Sequence, residues 1–352
     1  MKTLKYIILM FANCILQQNI CTAQNSEYLI KTNETIVKYN YTIPIVKGKN
    51  NLKPVGYFYK SILYQYDEYT NWSTTFYLLD ETNYEFKQIL ETIANSKRLY
   101  FFNTMDSLIF YRKAFFNNDD GFLKLFLEYK SNSFILDSIY YADKKIHSSF
   151  STDGKFLIVN TLNTLSDFYN PTQDDRIIVY SLENIKEGKV DKEYIPCTYC
   201  SDGQLIGKDL FFTKSNQRDD FSGGFAWKDI YKAPWGKLQD SVKIAAFSNI
   251  LAISPDGKYI LATRHFDLPN SPCAIIDVDN KKYQLLLGRD YSKADAFYSY
   301  KEKKFAFDFE GRIVYVDFPK EYPFDALRKD NPDIPSWSNT DFYNQFKHEP
   351  FK

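Results

Sequence analysis

Short apolar runs broken by small polar clusters recur along the chain. The clearest instance is "AISPDGKYILATRHF", residues 252–266, in which an Asp-Gly pair separates two apolar stretches. Flanking β-formers around Asp-Gly predict a strand, a tight turn and a second strand. The pattern returns in "SSFSTDGKFLIVNTL" from Ser148 and in "TYCSDGQLIGKDLFFTK" from Thr198, which places turn glycines at Gly154, Gly203 and Gly257, 49 and 54 residues apart. Looser copies without the glycine start at Leu52 ("LKPVGYFYKSILY"), Ser96 ("SKRLYFFNT") and Tyr300 ("YKEKKFAFDF"), making six units. Each continues into another apolar strand: "TTFYLLDE", "GFLKLFLEY", "RIIVYSLEN", "KDIYKAPW", "CAIIDVDN" and "RIVYVDFP". A repeat near 50 residues with a tight A–B turn and a looser B–C connection fits a four-stranded propeller blade. Strands such as Tyr259–Thr263 are apolar without alternation, as expected when stacked blades bury both faces.

The expected fold is therefore all-β: a β-propeller of six blades, with seven as the alternative. Blade six is one strand short, because "DAFYSY", "KKFAFDFE" and "RIVYVDFP" are followed by Pro319 and Pro323. The orphan segment "ETIVKYNYTIPIV", Glu34 to Val46, can supply the missing outer strand and close the ring, which removes an open edge. Residues 51–318 form the propeller, 24–50 the closing strand and linker, and 319–352 a tail packed on it with short helical segments at 324–328 and 340–346. Some 30 residues are too few for a core of their own.

The phrases "SPDGKYILAT" and "DIYKAPWGKLQDSVKI" resemble the WD40-like repeats of TolB-like and prolyl-oligopeptidase-type propellers over roughly residues 50–318. The resemblance implies the fold more than a function. It stops short of either family's activity: the α/β domain that precedes a TolB-like propeller has no counterpart in the sequence, and neither has the G-x-S-x-G of a hydrolase domain.

Composition agrees with strands, since 29 Tyr and 30 Phe stand against 13 Gly. Lys plus Arg and Asp plus Glu both number 44, so no overall field draws the chain to nucleic acid or to an anionic membrane. Lys2 and Lys5 precede an apolar run from Tyr6 to Leu16, with small and polar residues around Ala23. That layout predicts a signal peptide over residues 1–23 and export to the periplasm or cell surface. Lipidation at Cys14 or Cys21 is the rival reading, opposed by Asn13 and Ile20 where a small residue is wanted. No later run is apolar enough to span a bilayer, and a monomer is expected.

Cys197 and Cys200 in "PCTYCSDG" predict a small disulfide in an oxidising compartment, with Cys273 a buried strand residue. A thioredoxin-like site would want the first cysteine at a helix N-terminus, whereas a β-turn follows here. His147, His265 and His348 lack ligand spacing to the cysteines, so neither zinc nor any other cofactor is expected. Three D-S-aliphatic triplets, at 106–108, 137–139 and 240–242, resemble the O-glycosylation acceptors of Bacteroidetes-type bacteria.

The B–C connections carry the candidate chemistry. In order they hold Asp67 and Glu68 with Trp72, Asp119 and Asp120, Asp174 and Asp175, Asp219 and Asp220, then Asp267 beside Arg264 and His265. Aspartates that cap turns would look the same. As a site, carboxylates interleaved with exposed rings suit a sugar or a cationic protein surface. The sequence reading is a non-catalytic binding or scaffold propeller with a protein or glycan ligand. The alternative is a carbohydrate-active propeller enzyme, glycosidase-like, with two of these acids facing each other across the mouth.

Overall fold

A computed structural model describes residues 31–39, 52–58, 61–68, 73–93, 97–102, 108–117, 120–129, 132–140, 145–151, 153–162, 176–195, 200–215, 228–263, 273–291, 294–309 and 311–328. Among them the strands form six antiparallel sheets. After an N-terminal strand β1 (Glu34–Lys38), sheet one is β2 (Leu52–Phe58), β3 (Ser61–Glu68), β4 (Ser73–Asp80) and β5 (Glu85–Ile93). Sheet two is β6 (Lys97–Phe102), β7 (Leu108–Asn117), β8 (Asp120–Tyr129) and β9 (Asn132–Tyr140). Sheet three is β10 (Lys145–Phe150), β11 (Phe156–Leu162), β12 (Arg176–Ser181) and β13 (Lys192–Ile195), with helix α1 (Leu182–Lys186) between the last two. Sheet four is β14 (Cys200–Ile206), β15 (Asp209–Ser215), β16 (Lys228–Pro234) and β17 (Val242–Ala245). Sheet five is β18 (Asn249–Ile253), β19 (Tyr259–Thr263), β20 (Cys273–Asp277) and β21 (Lys282–Leu285), and sheet six contains β22 (Asp295–Ser299), β23 (Lys304–Phe309) and β24 (Arg312–Val316).

From sheet two round to sheet one, adjacent sheets stack through apolar side chains. Leu125, Leu127 and Leu136 of sheet two meet Leu157, Val159 and Ile178 of sheet three. Ile158, Ile177 and Val179 on the opposite side of sheet three meet Leu205, Leu210 and Phe212 of sheet four. Phe211 and Ile230 face Ile260 and Ile276 of sheet five, whose other side, Leu261 and Ile275, packs on Phe305, Phe307 and Val314 of sheet six. Ala306, Ile313 and Tyr315 then meet Ile62, Tyr64 and Leu79 of sheet one, and β6 lies against β2 and β4. This is a β-propeller arrangement. Burial on both faces explains why β19 and β20 read as unbroken apolar runs.

β1 pairs antiparallel with β24, Glu34 opposite Val316 and Lys38 opposite Arg312. It spans five residues of the longer segment expected to be strand. Its first carboxylate is nearly buried, with Arg289 Nε donating to Glu34 Oε2 at 2.8 Å and the Tyr291 hydroxyl donating to Oε1. Beyond its far end the Tyr39 hydroxyl donates to Asp308 at 3.0 Å, and the ring packs on Tyr64 and Phe86 of sheet one.

Two local expectations are corrected. Phe324 and Asp325, expected to begin a short helix, form a fifth strand β25 on the edge of β21. Pro323 precedes them, the Phe324 ring packs on Tyr283, and the Ala326 N–H donates to the Lys281 carbonyl, which together favour an extended strand. The segment 340–346 lies outside the described residues. Conversely, strand character in "RIIVYSLEN" ends at Ser181, whose hydroxyl accepts from the Asn184 N–H and caps the single turn of α1.

Candidate functional site

Successive strands alternate in direction, so A–B and C–D connections emerge at one end of the sheets and B–C connections at the other. At the first, or turn, end the aspartates of two A–B turns are bonded within their own turns. Ser151 Oγ donates to Asp153 Oδ1 at 2.6 Å, and Asp153 Oδ1 accepts the Lys155 N–H at 3.1 Å. Sheet five repeats this: Ser254 Oγ donates to Asp256 Oδ1 at 2.7 Å, the Lys258 N–H donates to the same oxygen, and Gly257 takes the positive φ the turn requires. Burial opposes ionisation of Asp256, but the Ser254 hydroxyl and the Lys258 amide outweigh it and hold the carboxyl below its usual range.

Sheet four departs from expectation. Asp202 and Gly203 are not its A–B turn. They form a bulge within β14, where pairing slips between Ser201 and Gln204, and the turn is Gly207-Lys208 with Ile206 opposite Asp209. "CSDG" lacks the residue that separates Ser from Asp-Gly in the two true turns, so the serine cannot close the same loop. Asp202 adopts the left-handed region, and its Oδ2 accepts from the Thr213 hydroxyl at 3.0 Å.

The equivalent turn of sheet six has the same length, Ser299 opposite Lys304, but places its positive φ one residue later, at Lys303. Ser299 Oγ accepts the Glu302 N–H and donates to Glu81 Oε1 at 2.8 Å, and the Tyr315 hydroxyl donates to the same oxygen at 2.8 Å. Glu81 is fully buried, and Lys301 Nζ donates to its carbonyl. Burial, then hydrogen bonding with Tyr84, then the Glu81 charge push the Tyr315 phenol well above its ordinary range. This network joins sheets one and six.

The opposite, or loop, end differs in length. The two longest connections between consecutive paired strands, residues 163–175 and 216–227, lie there in the adjacent sheets three and four; the next, 182–191 with helix α1, lies at the turn end of sheet three, and 264–272 at the loop end of sheet five comes after it. Asp67 and Glu68 are the last residues of β3, opposite Thr74 and Ser73. Asp120 opens β8 opposite Asn117, so the B–C connection of sheet two is only residues 118–119, a hairpin. Trp72, Asp119, Asp174, Asp175, Asp219, Asp220, Arg264, His265 and Asp267 lie outside the described residues.

Beyond Arg264 and His265, sequence reasoning missed further cations at this end. Arg176 opens β12, Lys228 opens β16 and Arg312 opens β24. Beside Lys228, the nearly buried Asp229 is paired with Lys243 at 2.9 Å. The strand ends at the mouth thus carry both signs, and the signal was present in Asp175-Arg176 and Lys228-Asp229.

Cys200 is disulfide-bonded, and Cys197, its expected partner, lies outside the described residues. The Cys273 thiol is free and buried at the start of β20, where burial and the Asp290 charge push its pKa far up and make it inert. Among the described residues no group of three or more His, Cys, Asp or Glu could hold a metal ion. Nor is any described helix long and apolar enough to cross a membrane. Of the D-S-aliphatic triplets, Ser138 and Ser241 are exposed, and Asp106 and Ser107 lie outside the described residues.

No family model matches the chain, and no curated protein matches it. Among solved structures, the β-propeller domain of the Trilobed protease from Pyrococcus furiosus, described as having an open velcro topology, is 15% identical at a TM-score of 0.45, over 79% of this chain and 85% of that one. TolB from Acinetobacter baumannii is 13% identical at a TM-score of 0.38, over 73% and 61%. An oligogalacturonate lyase in complex with manganese is 11% identical at 0.44, over 83% and 99%. The likeness is one of fold.

Proposed function

We propose that the chain is an exported, non-catalytic β-propeller of six blades, with β1 as the outer strand of the sixth, that holds a protein or glycan ligand at its loop end. The observation that carries this reading is the asymmetry between the two ends. The turn acids Asp153 and Asp256 are bonded to their own turns, whereas the longest connections gather at the loop end of sheets three and four. Long connections on a rigid sheet framework are where binding residues tend to sit. The ligand would be met by Asp67, Glu68, Trp72, Asp119, Asp120, Asp174, Asp175, Asp219, Asp220, Arg264, His265 and Asp267.

Export rests on residues 1–23, and Cys197 is the natural partner of Cys200 in an oxidising compartment. A combined glycan and peptide array probed with the chain from residue 24 tests the reading. A ligand whose binding is lost on mutation of loop-end acids supports it. Failure to retain any ligand, or turnover of an arrayed glycan, overturns it, the latter in favour of an enzyme.

A further inference from the structure

The strand β1 is held from both ends by groups remote in sequence. Thr32 exchanges hydrogen bonds with the backbone of Leu287, its N–H donating to the carbonyl and its Oγ1 accepting the N–H at 2.8 Å. Glu34 follows with Arg289 and Tyr291, five residues run along β24, and the Tyr39 hydroxyl, which donates to Asp308, also accepts the Gly311 N–H at 3.2 Å. Apart from the Tyr39 ring on sheet one, these partners fall within residues 287–317. Between Tyr39 and Leu52 stand residues 40–51, a length that reaches about 40 Å when extended.

We propose that the β24 edge is an interaction surface for a second copy of this chain, which accepts that copy's β1 in place of its own and gives a strand-exchanged assembly. The inference rests on the reading that β1 completes the sixth blade. A bare β ladder takes any extended peptide, but this edge also reads side chains. It wants a carboxylate where Glu34 meets Arg289 and Tyr291, and a phenol five positions on to reach Asp308, with its ring 5.2 Å from Phe86. β1 and the residue that follows it carry both at that spacing. A foreign strand would leave Arg289, whose side chain is 11% exposed, without its carboxylate.

The closed and exchanged forms make the same contacts, so their balance follows effective concentration, which is on the order of millimolar for a short tether. Dilute chains close on themselves. Chains folded together at high concentration exchange, because β1 must wait for residues almost 300 positions away and meets neighbouring copies meanwhile.

Paired cysteines test this on full chains. Ile36 lies opposite Val314 in the ladder. Chains carrying I36C and chains carrying V314C are refolded together over a range of concentrations, oxidised, and digested for mass spectrometry. A covalent dimer linked through positions 36 and 314, rising about in proportion to concentration, is expected. The double variant I36C/V314C provides the internal reference and should cross-link within one chain. Cross-linked double variant with no mixed dimer at any concentration overturns exchange and leaves closure standing. Absence of both overturns closure as well. Should V314C fail to fold, the pair K38C and R312C, which are also opposite each other, repeats the test at a more exposed position.

Discussion

Asn160 grips Gly203 by both of its backbone groups: the Gly203 N–H donates to Asn160 Oδ1 at 2.8 Å, and Asn160 Nδ2 donates to the Gly203 carbonyl at 3.3 Å. The amide belongs to sheet three and the glycine to the bulge of sheet four, so one buried side chain couples two sheets and holds the bulge open. N160A leaves a buried N–H without an acceptor and should cost about 1–3 kcal/mol. G203A should cost a similar amount, about 1–3 kcal/mol, since a Cβ would stand 2.9 Å from Ile177 Cγ2. Urea denaturation of the two variants checks both, and a midpoint unchanged in either would show the bulge to be incidental.

The Glu34–Arg289 pair predicts a larger effect. Glu34 is 5% exposed and Arg289 11%, so removing Arg289 takes the counter-charge from a nearly buried carboxylate that keeps the Tyr291 hydroxyl, at a cost of about 3 kcal/mol. R289A should therefore melt well below the parent protein. Deleting residues 25–46 removes the pair together with the β24 ladder, and should take most of the stability with it. A truncated chain that melts like the parent would refute the role given to β1.

How much of this was readable in advance divides by range. The Ser-x-Asp-Gly turns at 151–154 and 254–257 were legible because serine, carboxylate and glycine sit within four residues and satisfy one another locally. "CSDG" misled because three matching letters outweighed a missing one, although Gly207-Lys208 between two apolar runs was the better turn signal. Tyr315 and Glu81 stand 234 positions apart, and no local pattern announces that a buried carboxylate will find a phenol on another sheet. The loop-end acids were visible as a recurrence, and Arg264 and His265 with them, whereas Arg176, Lys228 and Arg312 each stand singly at the first position of a strand and form no recurring pair.

Three buried tyrosines set the alkaline limit. Burial first, and then Asp137, Glu34 or Glu81 nearby, raise Tyr180, Tyr291 and Tyr315 above the ordinary phenol range. In the unfolded chain each ionises near pH 10 while the folded chain keeps it neutral. Their contribution is thus fully present below about pH 10 and declines above it, by about 1.4 kcal/mol per pH unit for each phenol still protonated in the fold. Melting temperature followed from pH 8 to 11 should be flat and then fall. Y291F should soften the fall, and an equally steep decline in that variant would count against the assignment.

The disulfide at Cys200 should matter little to stability. If Cys197 is the partner, the closed loop is so short that it restricts the unfolded chain only slightly. Non-reducing mass spectrometry should find a 197–200 linkage, and reduction should lower the melting temperature by no more than a few degrees. A free thiol at Cys197, or collapse on reduction, would contradict this.

The two ends of the sheets predict opposite responses to the loss of an aspartate. At the turn end, Asp153 and Asp256 each accept a serine hydroxyl and a backbone N–H, so replacement by Ala removes bonds that close the A–B turns. D153A and D256A should each cost about 1 kcal/mol, and neither should alter ligand binding. For Asp256, whose carboxyl is held below its usual range, the contribution is present above about pH 4 and fades as pH falls through the lower folded value. At the loop end, D119N, D174N and D219N together should shift the melting temperature by a few degrees at most, if these acids serve binding and not the fold, since a solvated charge contributes at most about 1 kcal/mol. The same triple variant should weaken any ligand captured on the array. Calorimetry and binding measured side by side decide the matter. A triple variant that unfolds would make these acids turn caps like Asp153, and one that binds as tightly as the parent would move the ligand away from the loop end.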